Sequence, residues 1–146
     1  MQKRLVFLGA ALCLSVAGMA HRTLDSLRAC LDTATGTARL ELLLEASDEA
    51  ADVATAQSAL AWAKEAEALA FAGNNQQLKC EAVVAMGRSL FFNLEYEQTL
   101  RYFYKHPLLC AETALPAPQV AQWLWMGQAH MRLTNYDSAL VMFERA

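Results

Sequence analysis

Cys80, His106 and Cys110 are the residues of this chain whose types and spacing first suggest chemistry. His106 and Cys110 stand four apart, which is one helical turn, and Cys80 opens the helix expected to run back against theirs. The three could meet around a metal ion, or Cys80 and Cys110 could form a disulfide. A zinc site takes four ligands, or three and a water; no fourth candidate is evident and Pro107 blurs the helical face, so no metal is expected. A second constellation is the acidic run Glu41, Glu45, Asp48, Glu49 and Asp52. Paired carboxylates can act as general acid and base, but a solvated helix face accounts for these, and no nucleophile, cofactor site or oxyanion stabiliser accompanies them. No strand leads into a glycine-rich loop and helix, so no phosphate cradle is present. The expectation is a protein without catalytic residues and without a cofactor.

The elements that carry these residues read as helices throughout. The chain has 146 residues, enough for one domain with a real core, and 55% of them are hydrophobic, many of them alanine. All three prolines fall between 107 and 118, which leaves long stretches free of helix breakers. Twelve Lys and Arg against 15 Asp and Glu give a net charge of −3, without the basic footprint that nucleic-acid phosphates require. Residues 1–20 have the form of a signal peptide: Gln2-Lys3-Arg4 is basic, Leu5 to Val16 apolar, and Gly18-Met19-Ala20 a small-x-small end. Its dozen or so apolar residues fall short of the roughly 20 needed to span a bilayer. Cleavage after Ala20 leaves Cys30, Cys80 and Cys110, an odd number in a disulfide-permissive compartment. The periodicity predicts helices over about 24–33, 37–53, 56–72, 77–93, 96–110, 119–133 and 136–146.

A shift of 40 residues superimposes the chain on itself twice. It aligns Ser47, Gly87 and Gly127; Ala56, Tyr96 and Tyr136; Ala59, Thr99 and Ala139; Leu60, Leu100 and Leu140; and Ala63, Phe103 and Phe143. The segment 120–146, with Trp123, Gly127, Tyr136, Ala139, Phe143 and Ala146 at large, small and aromatic places, resembles a tetratricopeptide repeat. Segment 80–106 keeps Gly87, Tyr96 and Phe103 of that pattern, and segment 40–66 keeps Ala59, Leu60 and Ala63. His130 then falls in a column that is usually aromatic, so its expected task is packing between hairpins. The family period is about 34 residues; the longer one here requires extended links after each second helix. A simple helical bundle is the rival arrangement.

The resemblance implies an all-α fold: after a leader helix within 21–36, three antiparallel helix hairpins over 37–146 stack as an α-solenoid with a right-handed superhelical twist. It also implies a ligand groove lined by the first helix of each hairpin. By column that groove carries Glu41, Leu44, Asp48 and Asp52, then Glu81, Val84, Arg88 and Phe92, then Leu124, Gln128 and Arg132. Arg88, Phe92 and Arg132 are the foremost candidates to grip an extended peptide or a helix. Members of the family that bind chaperone tails place cations where this chain has Leu44, Asp48 and Ala85, so that subclass is not expected. Repeat arrays generally end in a polar capping helix; 136–146 is apolar instead, which predicts continuation of the natural protein or self-association. The order of leader, Thr23-Leu24-Asp25-Ser26-Leu27, Thr37 to Leu43 and repeats also resembles the exported amino-terminal region of bacterial sensor histidine kinases and regulators. The expected function is therefore a periplasmic protein-binding scaffold, possible input to a signalling protein, with an inert helical spacer of a larger regulator as the alternative.

Overall fold

The computed structural model describes residues 23–52, 54–106 and 116–146. These form seven α-helices and no strand: α1 (Leu24–Leu31), α2 (Gly36–Glu49), α3 (Ala56–Ala72), α4 (Gln76–Phe92), α5 (Tyr96–Lys105), α6 (Pro116–Arg132) and α7 (Tyr136–Arg145). The fold is all-α, as expected. The leader at 1–20, His21 and Cys110 lie outside the described residues. Among the described residues no helix is long and apolar enough to cross a membrane.

Local chemistry explains where the helices start and stop. Asn75 Oδ1 accepts from the Leu78 N–H at 3.2 Å, so Gly73-Asn74-Asn75 closes α3 and caps α4. α6 begins at Pro116, earlier than the 119 expected, because a proline in a first turn forfeits an N–H that has no partner there anyway. The turns after α4 and α6 repeat one another. Leu94 and Thr134 both take left-handed backbone, with φ of 64° and 61°. The Glu95 N–H donates to Leu90 O at 3.0 Å, and the Asn135 N–H to His130 O at 2.9 Å.

The first turn departs from that geometry. α2 stops at Glu49, short of the expected 53, and Asp52 accepts from both the Thr55 N–H at 2.9 Å and the Thr55 hydroxyl at 3.0 Å. Those two bonds hold the Asp52 carboxyl below its usual pKa. Short polar side chains that bond the nearby backbone compete with continued helix, and here they win.

Each helix packs on the next along the chain, and α2 also packs on α4 and α4 on α6. Alanines make the close approaches around α3, where Ala59, Ala63, Ala66 and Ala70 are buried. One apolar cluster joins Leu27 and Leu31 of α1 to Leu40 and Leu43 of α2 and Ala66 and Ala70 of α3. A second joins Val83, Phe91, Leu100, Phe103, Met126, Ala129 and Met142 from α4 to α7. Phe103 is completely buried, a burial worth about 1.5–3 kcal/mol. Polar links tie the same layers together. Arg39 donates to Glu65 Oε1 at 2.5 Å and to Leu31 O at 2.5 Å. Tyr102 OH donates to Glu67, and buried Gln122 Nε2 donates to Phe103 O at 3.1 Å near the end of α5.

Candidate functional site

A cleft of about 440 Å³ opens between α2, α4 and the first turn of α6. Leu44, Glu45 and Asp48 supply one wall from α2. Gln77, Glu81, Val84, Ala85 and Arg88 supply the other, because residues three and four apart share a helix face. Ala117 and Pro118 close the α6 side. The surface is apolar along Leu44, Val84, Ala85 and Pro118 and acidic at Glu45, Asp48 and Glu81. Gln77 Nε2 donates to Glu81 Oε1 at 2.9 Å, which holds that carboxylate in place along α4.

Arg88 and Asp48 form an ion pair across α2 and α4. They occupy the same repeat column one unit apart. The arginine side chain is only 14% exposed and its Nε is buried without a hydrogen-bond partner. Burial lowers the guanidinium pKa, and Asp48 works against that shift. Asp48 is paired with Arg88, and Glu81 keeps a further carboxylate on the cleft wall.

The other groove residues expected from the sequence are distributed differently. Val84 lines the cleft with Arg88. Phe92 is half-buried against Trp125 of α6, with ring centroids 5.5 Å apart and planes at 66°. Leu124, Gln128 and Arg132 are exposed along α6 and do not line this cleft. Gly87 and Gly127 lie against the rings of Phe103 and Phe143, Ala139 is buried, Tyr96 is half-buried beside Phe91, and Tyr136 is exposed. Trp125, Gln122, Ala117 and Pro118 were not singled out by the sequence. Trp125 could have been, since it is a large aromatic at the middle of the helix that opens the next repeat after Phe92.

Cys80 is fully buried in α4, and its proposed disulfide partner lies outside the described residues. His106 lies tilted against Tyr102, with ring centroids 4.8 Å apart, and approaches Phe71 edge-on at 6.0 Å. Burial lowers its pKa, the Glu67 charge opposes that, and Lys105 adds to it. His130 is buried between α5 and α6, its Nε2 3.2 Å from Tyr104 OH and its Nδ1 without a partner, and burial lowers its pKa as well. Among the described residues no group of three His, Cys, Asp or Glu is placed to hold a metal ion. Comparison of the whole chain with protein-family models, with curated proteins and with solved structures returns no match.

Proposed function

We propose that this chain is a binding scaffold of tetratricopeptide type, with three helix hairpins stacked as an α-solenoid, and that it holds a peptide segment in the cleft between α2 and α4. Two recurrences at the 40-residue offset support the stacked reading: the glycine-to-ring contacts of Gly87 and Gly127, and the left-handed turns at Leu94 and Thr134. The observation that carries the binding reading is the cleft's mixed lining, apolar along Leu44, Val84 and Pro118 and acidic at Glu45 and Glu81. A lysine or arginine fits such a surface, its aliphatic stem on the apolar floor and its charged tip at the rim. The preferred ligand is therefore a basic segment with apolar residues between its cations. The guanidinium of Arg88 is engaged by Asp48 and so supports the wall instead of gripping an acidic ligand.

Fluorescence anisotropy with two labelled peptides tests this, one alternating leucine with lysine and one alternating leucine with glutamate. The lysine peptide should bind, and added salt should weaken it. Glu81→Lys should reduce its affinity by about tenfold, which corresponds to about 1.4 kcal/mol. Val84→Glu, which places a charge on the apolar floor, should reduce it further. Equal binding of the lysine peptide to wild type and both variants would remove the site, and preference for the glutamate peptide would reverse the ligand class.

A further inference from the structure

We infer that the chain has a second binding site, on the opposite side of α4, for a short apolar peptide that carries both its free ammonium and its free carboxylate. A cleft of about 440 Å³ lies there between α3, α4 and α5, a size ordinary for small-molecule sites. Met86 and Leu90 line it from α4. They stand two residues on from Val84 and Arg88 of the first cleft, which is about 200° round the helix. With Leu60 of α3 they make an apolar floor, all three belonging to one buried cluster. Side chains fasten the two walls to each other. Gln57 Nε2 of α3 donates to Asn93 Oδ1 at 2.6 Å in the turn before α5, and Tyr102 OH of α5 donates to Glu67 of α3.

Charge is sorted along this cleft and defines the ligand. Glu95 and Glu97 stand at the start of α5, and Asn93 Nδ2 donates to Glu95, which fixes that carboxylate. Arg101 follows Glu97 by one helical turn on the same face. Lys64 reaches the same level from the opposite wall, because it lies one turn before Glu67, whose partner Tyr102 is the neighbour of Arg101. Lys64, Glu97 and Arg101 are exposed, and among the described residues no hydrogen bond or ion pair engages them. The cleft is therefore acidic at one end, basic at the other and apolar between. A zwitterion with an apolar middle matches all three parts at once. The rise from Glu97 to Arg101 is about 6 Å, and an extended dipeptide spans about 7 Å, whereas the two charges of a single amino acid flank one carbon.

NMR titration of the purified chain with leucyl-leucine should show saturable binding with a dissociation constant on the order of 0.1–1 mM, the range open to a ligand of this size. Leucyl-leucinamide, which lacks the carboxylate, and N-acetyl-leucyl-leucine, which lacks the ammonium, should each bind about tenfold more weakly. Lys64→Gln combined with Arg101→Gln, both at exposed positions, should weaken leucyl-leucine about tenfold and leave the amide where it was. Glu97→Gln should weaken leucyl-leucine and leave the acetylated peptide where it was. That crossed pattern is one that a merely structural effect does not give, and the helical circular dichroism of the variants should match wild type. Absence of binding at several millimolar peptide, equal binding of the blocked peptides, or binding indifferent to these substitutions would overturn the inference. Free leucine bound as tightly as the dipeptide would overturn the length assigned to the ligand.

Discussion

The end of the Phe103 ring rests on the backbone of Gly87: a Cβ built on that glycine would meet the ring's Cε1 and Cε2 at 2.5 Å and its Cζ closer still. Phe143 stands in the same relation to Gly127, where a Cβ would come within 2.5 Å of Cε1. The ring of each second helix therefore sets how close the first helix of its hairpin can come.

Gly87→Ala should destabilise the protein despite alanine's better helix propensity. Forcing a methyl into a packed core costs about 1–3 kcal/mol, against a propensity gain of about 1 kcal/mol, so urea denaturation should report a net loss of up to about 2 kcal/mol. Gly127→Ala should cost less, because Phe143 is half-exposed and its ring can swing aside. In a double-mutant cycle, Phe103→Leu should relieve part of the Gly87→Ala penalty.

Asp48 and Arg88 should respond unequally to removal. Asp48→Ala leaves a mostly buried guanidinium unpaired; Asp48 itself is 65% exposed, so the cost should be about 1–3 kcal/mol, below that of a fully buried pair. Arg88→Met keeps the apolar stem and removes the charge, and should cost under about 1 kcal/mol. Thermal melts of the two variants give the comparison directly, and a larger loss in Arg88→Met would refute the account.

Stability should fall as the solution is acidified. Burial holds the pKa of both His106 and His130 below the ordinary histidine value of 6.5, so the unfolded chain takes up protons before the folded one does. The stabilising contribution is complete above that value and is lost as pH falls through the folded values. His130→Leu, which copies Leu90 of the preceding unit, removes the unpartnered Nδ1 and should flatten the acid side of a plot of melting temperature against pH.

Thr134 is β-branched and held at a φ of 61°. Thr134→Gly relieves that strain and should raise stability by about 1 kcal/mol in chemical denaturation, as glycine carries no Cβ penalty in left-handed backbone. Leu94→Gly should act in the same direction, since its side chain is largely exposed and little packing is lost.

The helices were legible because alanine-rich periodic segments are bounded by Asn75, Asn93 and Thr134-Asn135, whose turn chemistry is local. The early end of α2 was harder to foresee. It depends on the Asp52 carboxylate accepting from the Thr55 N–H and hydroxyl, with that hydroxyl also 2.8 Å from Ala50 O, in a unit that has Ala56 where the other two have tyrosine. At the cleft, Leu44, Asp48, Glu81, Val84 and Arg88, which column spacing puts on the first helices of two units, line facing walls. Column spacing places a side chain on a face without naming its partner, so the pairing of Arg88 with Asp48 and the burial of Phe92 against Trp125 emerged only in three dimensions. Ala117 and Pro118 join the lining because α6 begins at Pro116, three residues ahead of the start expected at 119.

α1 has an architectural consequence of its own. Leu27, Cys30 and Leu31 press onto α2, and Arg39 clasps both the end of α1 and Glu65 of α3, so one side chain fastens three helices and its loss would loosen all of them together.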